Sequence, residues 1–109
     1  MKQDTTPEQT TKLIELGFEK PKSIEKVTYI EQYGCGYETA YSIGELIEML
    51  PKEITGEGLT DSLSIYTDHN KMWTVEYSNV LGALLSTYRT ELIDALYDMI
   101  IRLKEEEVI

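Results

Sequence analysis

The sequence predicts an α+β domain in which a small antiparallel sheet packs against helices in the order α-β-α-β-β-(β)-α. Three observations predict it. Ser42-Ile43-Gly44-Glu45 opens an apolar stripe at helical spacing, Leu63 to Tyr77 alternates around a polar turn, and Thr90 to about Glu106 carries a second, wider stripe. With 109 residues, 41% of them hydrophobic and 28% charged, the chain suits one core spanning residues 1–109 rather than two or a disordered segment.

The first element opens at Thr6-Pro7-Glu8-Gln9: Thr6 suits the cap, Pro7 the first turn, and Gln9 can bond back to the cap. Leu13, Ile14 and Leu16 form its apolar side. Gly17 should end it, Phe18 should fold back on it, and Pro21 blocks continuation. Residues 26–33 read as a strand with Val27, Tyr29 and Tyr33 on one face, broken by a loop or bulge at Gly34-Cys35-Gly36. The helix after Ser42 presents Ile43, Leu46, Ile47 and Leu50, with Tyr41 and Leu46 placed as a hydrophobic staple. It stops at Pro51, and the TGEG at 55–58 reads as an exposed loop.

A hairpin follows, with a turn at Asp68-His69-Asn70-Lys71 and Leu63, Ile65, Trp73 and Val75 sharing a core face. Residues 79–88 are apolar but irregular and fit a third meander strand, a helical turn or a buried connection equally. In the last helix Leu92, Ile93, Leu96, Tyr97, Ile100 and Leu103 form the stripe, Asp94 and Asp98 face outward, and Arg102 and Lys104 sit near the negative end. The expected core is Leu46, Ile47, Leu50, Leu63, Ile65, Trp73, Val75, Leu92, Leu96, Ile100 and Leu103.

Charge bounds the function. Twenty acids against ten bases give a net charge of −10, divided as nine acids and five bases over residues 1–50 and eleven and five over 51–109. Such a field disfavours direct nucleic-acid binding and anionic membranes. No apolar run is long enough for a membrane helix, and MKQDTTPEQ does not resemble a secretory leader, so a cytoplasmic location is expected. Cys35, the single cysteine, cannot form an internal disulfide.

No catalytic, cofactor-binding or metal-binding set assembles. His69, the single histidine, falls in a turn beside Asp68, where adjacent side chains diverge; with Asp61 they make a poor metal site. Cys35 lacks a neighbouring cation to activate it, and GCGYE lacks the Lys-Ser/Thr of a phosphate loop. Glu105 to Glu107 read as a solvated helix end. Eight tyrosines against one phenylalanine are unusual, and tyrosine suits half-wet interfaces, so Tyr29, Tyr33, Tyr37 and Tyr41 are the expected partner surface, with edging of the core as the alternative.

The segments SIGELIEML, KMWTVEY and TELIDALYDMIIRLKEE, with Leu16-Gly17-Phe18, resemble small uncharacterised proteins encoded by phages and integrated elements of gut Bacteroidetes. The resemblance implies a mobile-element accessory protein and transfers no catalytic residue. The expected function is therefore non-enzymatic binding of a protein partner or self-association. The alternative is an acidic inhibitor occupying the nucleic-acid site of a host defence enzyme.

Overall fold

Among its described residues the chain forms three helices and two antiparallel sheets in this computed structural model, in the order α1 (Pro7–Glu15), β1 (Ile24–Ile30), β2 (Gly34–Thr39), α2 (Ile43–Met49), β3 (Glu53–Gly56), β4 (Leu59–Thr67), β5 (Trp73–Asn79), β6 (Gly82–Arg89) and α3 (Leu92–Glu105). Described are residues 3–19, 24–30, 34–56, 58–68 and 70–109, with the side chains of 24–30, 34–39 and 56 excepted. The α+β class holds: a four-stranded meander, β3-β4-β5-β6, is packed by helices, and β1 pairs with β2 in a separate ribbon.

Both predicted capping boxes form. Thr6 Oγ1 accepts from the Gln9 amide at 3.2 Å while Gln9 Oε1 accepts from the Thr6 amide at 3.0 Å. The Ser42 and Glu45 pair repeats the arrangement at α2, with Tyr41 and Leu46 both buried in the core. At the end of α1, Gly17 has φ +100°, its amide donates to Ile14 O, and the Phe18 amide donates to Leu13 O. That pattern of reversed bonds returns Phe18 to the core.

The same pattern ends α3, where the amides of Glu107 and Val108 donate to Lys104 O and Leu103 O, but the left-handed position is held by Glu107 at φ +58° rather than by glycine. A β-carbon is disfavoured there, and equally at Lys71, φ +62°, in the β4–β5 turn. Glu107→Gly and Lys71→Gly are each expected to raise stability by about 0.5–1 kcal/mol, a gain of a few degrees in melting temperature by calorimetry. Gly17→Ala should lower it by a similar amount through strain alone, since nothing lies within 4 Å of the added carbon.

α3 lies across β5 and β6 and against α2. Its buried residues, Leu92, Ile93, Ala95, Leu96, Met99, Ile100 and Leu103, meet Leu13, Leu46, Leu50, Val75, Tyr77 and Leu85. Register puts Leu63 opposite Tyr77 and Ile65 opposite Val75, so the expected shared core face forms, with Leu63, Ile65 and Trp73 partly buried at its margin. Polar ties fix the layers: Thr87 Oγ1 donates to Ala95 O at 2.8 Å, Tyr77 OH to Pro51 O at 2.7 Å, and Gln9 Nε2 to Asp94 Oδ1 at 2.9 Å.

Three expectations are corrected and one left open is resolved. Ile47 is 37% exposed, because α2 has only seven residues and turns just a narrow stripe inward. Gly34-Cys35-Gly36 is no break: its backbone starts β2, with Cys35 opposite Tyr29, because glycine tolerates extended geometry when a partner strand supplies a ladder. The last three positions of the strand expected over 26–33 lie outside the described residues. Thr55 and Gly56 belong to β3 rather than to a loop, paired with Thr60 and Leu59. Residues 79–88, open between three structures, form the β5–β6 turn and most of β6.

Candidate functional site

The expected tyrosine surface divides. Tyr29 and Tyr37 lie in β1 and β2, paired with Cys35 and Val27 respectively; their side chains and all of Tyr33 are outside the described residues. Tyr41 is not at a surface. Its ring is buried and its hydroxyl donates to the Glu19 carbonyl, because the residue before a helix cap points its side chain back into the core. Burial first, and the Glu45 carboxylate second, hold its phenol above the ordinary pKa.

The candidate chemical groups stay apart. Asp61 is buried in β4, where Asn79 Nδ2 donates to it at 2.6 Å, while Asp68 follows the far end of that strand, about 23 Å away at 3.3 Å per residue. Asp68 Oδ1 accepts from the amides of Asn70 (2.8 Å) and Met72 (3.1 Å), making it a turn residue. His69 lies outside the described residues. Among the described residues no three His, Cys, Asp or Glu side chains gather as a metal site, and no helix is long and apolar enough to cross a membrane.

What the sheet does gather is exposed apolar surface at one hairpin. The β5–β6 turn places Val80 and Leu81, 95% and 80% exposed, between Asn79 and Gly82, and Leu84, the extra residue where the register shifts beyond Tyr77, is 58% exposed. Such turns normally carry Asn, Asp or Gly at their tips, residues that fit the backbone and stay solvated. Here the fit comes from elsewhere: Asn79 Oδ1 accepts from the Leu81 amide at 2.7 Å, its Nδ2 is held by Asp61, and Gly82 takes φ +130°. The buried carboxylate thus fixes the asparagine, and the asparagine fixes a tip of two large aliphatic side chains.

The sheet face away from α3 continues from that rim. Across it Tyr66, Thr74 and Tyr88 align in one register row, as do Ser64, Glu76 and Ser86 in the next, with Thr74 buried between its two exposed tyrosine neighbours. Ser86 Oγ donates to Glu76 Oε2 at 3.4 Å. Desolvation, followed by the hydrogen bond to Glu76 and its charge, raises the Tyr66 phenol above its ordinary pKa.

No family model, curated protein or solved structure matches the chain.

Of the four tyrosines read from the sequence, Tyr41 is buried, and the side chains of the other three lie outside the described residues. The signal for the exposed tyrosines of the sheet was present: Tyr66 and Tyr88 alternate with inward Ile65 and Thr87, and Asn-Val-Leu-Gly at 79–82 has turn residues outside two bulky ones. Only the assignment of β6 makes that signal readable. Around α3, by contrast, charge is mixed: Arg89 at the end of β6 meets Asp98 at 2.8 Å, and Arg102 Nε lies 3.9 Å from Glu106. Desolvation still lifts the Asp98 carboxyl above its usual range, with Asp94 adding to the rise and Arg89 opposing it.

Proposed function

We propose that this chain is a non-enzymatic binding protein that docks protein through the apolar rim of the β5–β6 hairpin, with Tyr66 and Tyr88 beside it. One observation carries the reading: Val80, Leu81 and Leu84 expose large aliphatic side chains together. Isolated exposed apolar residues are ordinary, but three around one rigid turn expose surface whose burial is worth about 25 cal/mol per Å². Tyrosine at the margin adds contact area with a polar end that needs no dry partner. In this reading the chain is an accessory protein of a phage or integrated element, working in a reducing cytoplasm where Cys35 remains a thiol.

The inhibitor reading, an acidic face standing in for nucleic acid, draws less support. It needs carboxylates gathered at phosphate-like spacing, and on α3 Arg102 and Lys104 separate Asp94 and Asp98 from Glu105.

The test is a Val80→Ser/Leu81→Ser double variant. Both positions are solvated, so melting temperature and circular dichroism should match the wild type. Capture of a bacterial protein by the immobilised chain, or its self-association, should be lost. Retention of every such contact by the folded double variant overturns the reading.

A further inference from the structure

We propose that Tyr66, Tyr88 and Glu76, on the sheet face away from α3, form a binding site for a cationic side chain, an arginine carried by the protein partner. The proposal rests on the binding role of the rim and names the chemistry of what docks beside it.

Tyr66 on β4 and Tyr88 on β6 flank Thr74 on β5, so their backbones stand about 9–10 Å apart, two strand spacings. Thr74 faces away from α3 yet is only 1% exposed, whereas the two tyrosines are 43% and 57% exposed. The side chains directly beside Thr74 are those tyrosines, so their rings lean over it from both sides. The product is a pair of neighbouring aromatic faces open to solvent. Aromatic faces carry partial negative charge and attract cations.

Glu76 adds a full charge. It stands in the next register row, where its carboxylate accepts from Ser86 Oγ at 3.4 Å and from the Tyr66 hydroxyl. Two neutral donors occupy about half of the roughly four lone-pair positions that a carboxylate offers. Among the described residues no lysine or arginine pairs with Glu76: Arg89 is held by Asp98, Arg102 lies by Glu106, and Lys104 sits over the Phe18 ring.

Charge complementarity selects the occupant. An unneutralised carboxylate beside two exposed rings, in a chain of net charge −10, draws a cation and repels both an anionic ligand and a second copy of the same face. Arginine fits better than lysine. Its flat guanidinium stacks on a ring while its fork of N–H donors reaches the open carboxylate positions, whereas an ammonium group is compact and more strongly hydrated. Leu84 of the rim lies four residues from Tyr88, about 13 Å along β6, so one short extended segment of a partner reaches both.

Nuclear magnetic resonance titration of the full chain with N-acetyl-arginine methylamide tests this, at constant ionic strength and up to about 50 mM, as millimolar affinity requires. Resonances of Tyr66, Tyr88 and Glu76 should move saturably. The uncharged citrulline analogue should move them little, and the lysine analogue should bind more weakly than arginine. Glu76→Gln and Tyr66→Ala, both at solvated positions, should each weaken binding at least about fivefold with unchanged dichroism. Glu53→Gln removes a carboxylate from the start of β3, away from the tyrosine row, and should leave affinity within about twofold. The proposal is overturned if the three residues show no saturable shift, if citrulline serves as well as arginine, or if Glu53→Gln costs as much as Glu76→Gln. A chain that captures a bacterial protein through Val80 and Leu81 yet fails to bind the arginine probe loses this site and keeps the rim.

Discussion

Leu96→Ala is expected to lower the unfolding free energy by about 3 kcal/mol, measured by urea denaturation with little change in the slope. Leu96 is fully buried in the middle of α3, the helix that touches β5, β6 and α2, so the cavity opens where the layers meet. Its neighbours along the helix, Ile93, Met99 and Ile100, are also fully buried, which leaves little freedom for collapse into the void. A domain of this size is typically stable by roughly 5–15 kcal/mol, so the loss is a large fraction of the whole. The contrast is Ile47→Ala, which the pattern of the sequence makes equivalent and the structure does not. Exposure of Ile47 should hold its cost below about 1 kcal/mol. Equal costs at the two sites would refute the placement of α2.

Alkaline pH is expected to destabilise the fold through Tyr77. Its ring is fully buried on β5, its hydroxyl donates to the Pro51 carbonyl at 2.7 Å, and burial pushes its pKa from 10.0 up to about 12. Because the folded state holds this proton more tightly than the unfolded chain does, the associated stability is fully present below pH 10 and is lost as pH rises toward 12. The loss should be on the order of 2–3 kcal/mol. Tyr41 and Tyr97 are shifted in the same direction, mainly by desolvation, and steepen the fall. Tyr77→Phe removes the ionisable group, so it should lower stability at pH 7 by about 1 kcal/mol while flattening the decline above pH 10. A decline as steep in Tyr77→Phe as in the wild type would assign the alkaline transition elsewhere.

Much of the fold was legible because its signals are local. Capping boxes at Thr6 and Ser42, the glycine stop at Gly17, and the α3 stripe each depend on residues within a few positions, and all appear in the structure. The β4–β5 hairpin was equally readable, since its period and its turn lie together in the chain. β6 was not: Leu84 interrupts the alternation as a bulge, and the strand becomes a strand only by pairing with β5 and covering α3. The candidate surface suffered for the same reason. Tyr29, Tyr33, Tyr37 and Tyr41 are regular in sequence, but Tyr41 lies beneath the α2 cap, whereas Tyr66 and Tyr88, 22 positions apart in the chain, are brought to one row by strand register.

By itself the sequence determined the α+β class, the helix boundaries, the inward face of the central hairpin and the acidic character, because these follow from short-range backbone chemistry and from composition. Tertiary structure alone decided that β6 is the last strand of the meander, that Ile47 is solvated while Tyr41 is not, and that Val80, Leu81 and Leu84 form an apolar rim steadied by Asp61 through Asn79. Those properties depend on what lies across a sheet from each residue, and strand pairing, a long-range contact, is what places it there.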